Sequence, residues 1–313
     1  MKKEEGGWEE LYEAIRRTTI IESNRLDSAL GARVVLASET FQHTGSFKFR
    51  AAYNVVKQAP ADLFLTASSG NFGQALAYAC QLLHKSCIVV MPSTSARVKM
   101  EAVRDYGGTV DLVDVQVKSR WDRVWELAKE HTAAYVASPY DDPFVIEGNS
   151  SLGRELAALD YDFDYVVAPV GGGGLTSGII EGLRKAKKRI PVIGAEPLLA
   201  NDAARSLREG RIVSNENEPD TIADGARTLS LGDRNWEILR TGLKKIVEVP
   251  EKQIAEGLRV LFSLANLKAE PTGALAVGAM LTEPETFTKR TVCCIVSGGN
   301  VDPQIYARIL LEE

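Results

Sequence analysis

Short β-branched runs alternate with helix-period stretches along almost the whole chain, and this alternation constrains the fold more than any other feature. RVVLASE precedes FKFRAAYNVVKQ, LFLTAS precedes NFGQALAYACQLL, SCIVVMP precedes ARVKMEAVRDYG, and TVDLVDV precedes WDRVWELAKEH. YVVAPV then leads into a helix from Leu175, PVIGAEP follows, and TVCCIVSGGN precedes a closing helix. Apolar strands of this kind are buried on both faces and the helices between them supply the cover, so the pattern predicts α/β open sheets of mostly parallel, twisted strands. A chain of 313 residues, 45% hydrophobic, exceeds the usual size of a single core, which predicts two domains.

Charge narrows the partners. The 37 basic and 42 acidic residues are spread rather than blocked and sum to −5, leaving no footprint for nucleic acid or an anionic membrane, so a small-molecule partner is expected. The four cysteines contain no CxxC pair and only three histidines are present, which disfavours a Cys/His zinc site. MKKEEGGWEELYEAIRR is a charged, amphipathic helix candidate with no apolar signal core behind it, and no apolar run is long enough to span a bilayer. A cytoplasmic protein with reduced thiols is expected.

Ligands of open α/β sheets sit outside the carboxyl ends of strands, and four junctions there stand out: TASSGNFGQ, APVGGGGLTSG, GAEPLLANDAA and VSGGN. Gly171, Gly172, Gly173 and Gly174 follow an apolar strand and precede a helix. Four glycines offer no side chain to pack, but they let backbone N–H groups close on a ligand at a helix N-terminus, which suits a phosphate. The run lacks both the GxGxxG spacing and the Gly-Lys-Ser/Thr ending of a Walker loop. Lys48, between Phe47 and Phe49 in HTGSFKFR, reads by itself as a solvated helix lysine or as a desolvated, reactive amine. A reactive lysine with a phosphate cradle, and no dinucleotide or metal motif, together suggest pyridoxal 5′-phosphate.

On these residues the chain resembles the fold type II pyridoxal-phosphate enzymes, the tryptophan synthase β family, and within it the serine/threonine dehydratase and serine racemase branch. The likeness runs from about Arg17 to the final helix. It implies a large cofactor-binding domain from residues 1–60 and 142–313 and a small mobile domain from residues 61–141. It implies a homodimer acting on a small amino acid, with Lys48 as Schiff-base lysine and general base and Phe47 beside the cofactor. In SSGNFGQA, Asn71 would bind the cofactor's 3′-oxygen, Phe72 would lie at its ring, and Ser68, Ser69 and Gly70 would receive the substrate carboxylate. Ser69 is also the position from which a racemase protonates the second face. Gly171 to Gly174 with Leu175 match the phosphate loop, Ser297 in VSGGN matches the residue facing the pyridine nitrogen, and Gly225 and Glu270 match positions lining the site. Glu196, Asp202 and the main-chain oxygen of Ala200 match an Mg²⁺ or Ca²⁺ site, although on spacing alone they read as two acids near a helix start. Arg120 matches a basic residue able to meet a second substrate carboxylate, although by itself it reads rather as a solvated helix arginine.

The expected activity is β-elimination from L-serine or L-threonine to a 2-oxo acid and ammonia, with serine racemisation or dehydration of threo-3-hydroxyaspartate as alternatives. A β-replacement synthase and a non-catalytic cofactor-binding protein are weaker readings. Three departures from the family pattern bear on the substrate: Glu22 and Ser23 stand where Thr-Pro is usual, Ala51 replaces a glycine, and Gly148-Asn149-Ser150-Ser151 replaces GQGT. Only about a dozen residues follow VSGGN, so an isoleucine-controlled form with a regulatory extension is not expected.

Overall fold

The computed structural model describes residues 9–68, 70–95 and 97–311. The chain opens with β1 (Thr19–Glu22), α1 (Asn24–Leu30), β2 (Arg33–Ser38) and α2 (Lys48–Gln58). Then come β3 (Leu63–Ala67), α3 (Asn71–Leu82), β4 (Ser86–Pro92), α4 (Arg97–Asp105), β5 (Thr109–Val113), α5 (Arg120–Glu130) and β6 (Tyr135–Val136). After these lie α6 (Pro143–Ala158), β7 (Tyr165–Pro169), α7 (Gly174–Lys185), β8 (Val192–Pro197) and α8 (Asp202–Glu209). The remainder is α9 (Asp233–Gly242), β9 (Leu243–Val249), α10 (Glu251–Ala265), α11 (Leu275–Thr282), α12 (Pro284–Phe287), β10 (Thr291–Val296) and α13 (Pro303–Leu311).

Two sheets result, one of six strands ordered β1-β2-β10-β7-β8-β9 and one of four ordered β5-β4-β3-β6. Every strand pairing except β1 with β2 is parallel. The central strands β2, β7, β8 and β10 are buried along nearly their whole length, as their unbroken apolar runs require. The sequence pattern does not pick out β1, β6 or β9. β1 and β6 are very short, and β9 is an edge strand, LKKIVEV, whose Lys244 and Lys245 guard an open edge.

The large sheet is covered on one side by α10 and α11 and on the other by α6 and α7. The backbones of α6 and α7 touch. A Cβ built on Gly153 would lie 2.3 Å from the carbonyl oxygen of Ile179, and one on Gly182 would lie 2.2 Å from that of Ser150. α2 buries Phe49, Ala52, Val55 and Val56 in the core beneath the small sheet. Its Arg50, fully buried, reaches the other way and pairs with Glu39 at 2.7 Å and Glu155 at 2.7 Å. Two carboxylates and the Ser151 hydroxyl at 3.0 Å satisfy the guanidinium, which is what lets a charge stay buried here. The helix that begins with Lys48 is therefore fixed to both sheets.

Candidate active site

β2, β10 and β7 are neighbours, and their carboxyl ends deliver three loops to one place. The loop after β2 is tied to the loop after β10 by backbone bonds from Phe47 N–H to Ser297 O (3.0 Å) and from Gly299 N–H to Gly45 O (3.0 Å). The loop after β7 is the glycine run. Phe47, Lys48, Tyr140, Gly171 to Gly174, Leu175, Gly225, Thr228, Thr272 and Ser297 line the cavity between them.

Lys48 answers the question its neighbours raise. Phe49 is a core residue, whereas Phe47 lies beside the cavity. The amine donates to the carbonyl oxygen of Pro139 at 2.6 Å and lies 5.0 Å from the Phe47 ring centre and 5.8 Å from that of Phe72. Burial disfavours its charged form and lowers its pKa to about 8, against the opposing pull of the Glu270 carboxylate. Roughly a tenth of the amine is thus uncharged at pH 7, far more than for a lysine in water, as a nucleophile or base requires.

Gly173 takes φ +94°, a conformation glycine tolerates, and turns the chain into α7, whose first turn has no side-chain cap. Its leading N–H groups are left for a ligand, beside Gly171 and Gly172. The buried hydroxyls of Ser297 and Thr228 face this cavity with no partner among the described residues. An uncapped helix start and two orphaned hydroxyls fit a polar, phosphate-bearing cofactor such as pyridoxal phosphate.

Asn71 begins α3 and donates to both carboxylate oxygens of Glu270, at 2.9 and 3.1 Å. Burial, reinforced by the charge of Asp224, pushes Glu270 up to about 8. The Ser68 hydroxyl oxygen accepts from the N–H groups of Gly73 (3.1 Å) and Gly70 (3.4 Å), so it satisfies one donor in the first turn of α3, whose N-cap is Gly70. Gly70 is exposed, and Phe72 is packed into the small-sheet core. Ser69 lies outside the described residues.

Arg120 begins α5 and pairs with Glu218 at 3.6 Å, close enough to Tyr140 for its charge to lower that phenol's pKa against the dominant effect of burial. A second ion pair, Lys99 with Asp224 at 3.2 Å, likewise joins a helix of the small sheet to the segment between α8 and α9. The N–H of Gly225 in that segment donates to Thr272 Oγ1 at 3.0 Å.

Glu196, Ala200 and Asp202 come together at the end of β8, all buried. The Glu196 oxygens accept the N–H groups of Ala203 and Ala204 at 2.8 Å each, while Asp202 Oδ2 has no partner among the described residues. Burial raises both carboxyls, Asp202 to about 7, and the Asp202 charge adds to the rise at Glu196. Two crowded acids with one bare oxygen fit a hard divalent cation. No group of three or more Cys, His, Asp or Glu suited to a metal occurs among the described residues, so such an ion would rest on these two acids, a carbonyl and water.

Sequence reasoning misses the segment after β6. Pro139 supplies the acceptor for Lys48, and Tyr140 lies on the glycine loop, where a Cβ on Gly172 would fall 2.3 Å from the ring. Asn235 holds the two together by donating to Tyr140 O (3.0 Å) and Gly172 O (2.8 Å). No pattern in the sequence marks SPYDDP as a junction, because β6, the parallel strand before it, is only two residues long.

The profile of the family described as "Pyridoxal-phosphate dependent enzyme" matches residues 11–298. The L-threo-3-hydroxyaspartate ammonia-lyase of Pseudomonas sp is 35% identical over 298 residues, covering 94% of this chain and 93% of the relative. The serine racemase of Mus musculus is 32% identical over 305 residues, covering 93% and 88%. Among solved structures, the threonine deaminase of T.th. superposes with a TM-score of 0.90 at 37% identity, covering 96% of this chain and 98% of that one.

Proposed function

Since the chain belongs to the pyridoxal-phosphate dependent enzymes, we propose that it eliminates the β-hydroxyl of an amino acid, L-serine or L-threonine, giving a 2-oxo acid and ammonia. The observation that carries this reading is the Lys48 amine, brought toward neutrality by burial and held by Pro139 O on the wall of a cavity that also contains the glycine cradle. In this reading Gly171 to Gly174 and Leu175 hold the phosphate, Ser297 meets the ring nitrogen, Asn71 meets the ring oxygen, and Phe47 packs beside the ring. Bound there, the cofactor supplies an electron sink for the charge left at the substrate α-carbon. Lys48 takes the α-proton. The neutral Ser297 hydroxyl holds the ring nitrogen without a counter-charge, which favours loss of the β-hydroxyl over prolonged storage of the charge. Ser68 and Gly70, which precede α3, receive the substrate carboxylate together with Ser69, and Ser69, outside the described residues, is the group proposed for proton return on the opposite face.

Incubation of the holoprotein with L-serine, L-threonine and L-threo-3-hydroxyaspartate, followed by chiral chromatography, tests this. Excess 2-oxo acid supports elimination, D-serine in comparable yield supports racemisation, and no turnover of any of the three rejects the reading.

The charge of Arg120, which is felt at Tyr140 on the cavity wall, favours hydroxyaspartate as a further substrate. A carboxylate on the substrate β-carbon could replace Glu218 as its partner. Arg120→Gln is expected to cost about 2 kcal/mol, roughly thirtyfold in kcat/KM, for hydroxyaspartate, with little change for serine. Equal losses on both substrates would remove Arg120 from specificity.

Glu196, Ala200 O and Asp202 are the proposed Mg²⁺ or Ca²⁺ ligands. A bound ion stabilises the folded state in proportion to the logarithm of its concentration. EDTA is therefore expected to lower the melting temperature and added Mg²⁺ to restore it, whereas indifference to both, in protein shown metal-free by elemental analysis, excludes the site. The same reading places the small-sheet lobe, residues 61–141, as a mobile unit against residues 1–60 and 142–313, in a homodimer. The four buried free thiols are consistent with a reducing cytoplasm, and no helix among the described residues is long and apolar enough to cross a membrane.

A further inference from the structure

The Asn71 carboxamide has only one permitted orientation, and the groups that impose it lie outside the cofactor cavity. Thr44 O is a carbonyl and can only accept, so the atom of Asn300 that meets it at 2.7 Å is Nδ2. That same Nδ2 lies 2.8 Å from Asn71, which must present Oδ1 to it. The NH₂ of Gln74 approaches Oδ1 as well, at 3.4 Å. At the other end, the Asn71 NH₂ faces both oxygens of Glu270. The two N–H bonds of an amide diverge by about 120°, more than one carboxylate subtends at this range, so one N–H serves Glu270 and the second remains for another acceptor. Glu270 itself is fixed, since its N–H donates to Gly298 O at 3.0 Å and its side chain is packed against Gly298.

We infer that Glu270 is a positioning residue that turns an N–H of Asn71, rather than its carbonyl, toward the cofactor's ring oxygen. The inference rests on the proposed placement of that oxygen at Asn71 and not on the reaction. An N–H donated to the ring oxygen favours its ionised form, so the proton it shares with the Lys48 nitrogen stays on nitrogen. A flipped carboxamide would present Oδ1 and favour the protonated oxygen. Once ionised, above about pH 8, Glu270 also acts on Lys48 through its charge, and spectra recorded there separate the two roles because glutamine keeps an acceptor for Asn71 while removing the charge.

The test reads the absorption spectrum of the protein reconstituted with pyridoxal 5′-phosphate and without substrate, for the wild type, Glu270→Gln, Glu270→Leu and Asn71→Leu. Glu270→Gln is expected to keep the wild-type ratio of long- to short-wavelength cofactor bands. Glu270→Leu and Asn71→Leu are expected to lower it alike, by roughly tenfold or more, as befits loss of a hydrogen bond to an ionised atom. If Glu270→Leu does not fold, as judged by its thermal melt, Glu270→Ala takes its place. A Glu270→Gln spectrum shifted as far as that of Asn71→Leu would assign Glu270 to charge compensation and overturn the inference. So would a folded Glu270→Leu or Glu270→Ala protein with the wild-type spectrum. Failure of every amino-acid substrate would leave these spectra interpretable, since no turnover is needed to record them.

Discussion

Lys48→Ala protein is expected to bind pyridoxal phosphate without covalent attachment, so that borohydride leaves no cofactor on the polypeptide. Turnover should fall by at least ~10²–10⁴-fold, the share a positioned general base supplies. Covalent label retained at another lysine would sink the assignment of Lys48. The wild-type protein offers a companion measurement in the rate of covalent attachment against pH. Only the uncharged amine attacks a carbonyl, and burial has lowered the Lys48 pKa to about 8. The rate should therefore rise with pH and level off above about 8. A lysine in water would go on gaining well beyond that point, because its pKa lies near ~10.4.

Gly172→Ala is the second large effect. The added Cβ would lie 2.3, 2.4 and 2.6 Å from three ring atoms of Tyr140, and the Tyr140 backbone is held in turn by Asn235. Overpacking of this kind costs about 1–3 kcal/mol, roughly five- to 150-fold in cofactor affinity if it is relieved by displacing the loop. Titration of the apoprotein with pyridoxal phosphate, followed by absorbance, measures the loss. Adding Tyr140→Ala to the same chain removes the obstruction and should recover most of the affinity. If it recovers none, the Tyr140 ring is not the source of the constraint.

Much of this site is written in local sequence, for a physical reason. In a parallel sheet the carboxyl ends of the strands lie on one side, so the glycine run and Ser297, each just past a strand of the large sheet, are legible as neighbours, whereas Lys48, ten residues beyond β2, and Asn71, past β3 of the small sheet, join them through their chemistry and motifs. The alternating pattern likewise foretells the buried strands, because a strand covered on both faces has no polar alternation to disguise it. What is not legible depends on contacts across the chain. Pro139 acts through a carbonyl oxygen, which every residue possesses, and Tyr140 through the proximity of its ring to a glycine far along the sequence. Phe47 and Phe49 appear equivalent in HTGSFKFR, yet one lies beside the cavity and the other in the small-sheet core. That difference comes from the direction of α2, which the buried Arg50 sets through Glu39 and Glu155, residues 11 and 105 positions away.

The seam between α6 and α7 gives the molecule a mechanical property. α6 starts three residues beyond Tyr140, in the segment that leaves the small sheet, and α7 starts at the glycine cradle. At Gly153 and Gly182 the two helices meet backbone to backbone, with no long side chains between them to bend or change rotamer. Such a joint has little compliance. In the proposed reading, a tilt of residues 61–141 that moves the start of α6 is carried to the start of α7, where the phosphate would be held, so the two are ends of one lever.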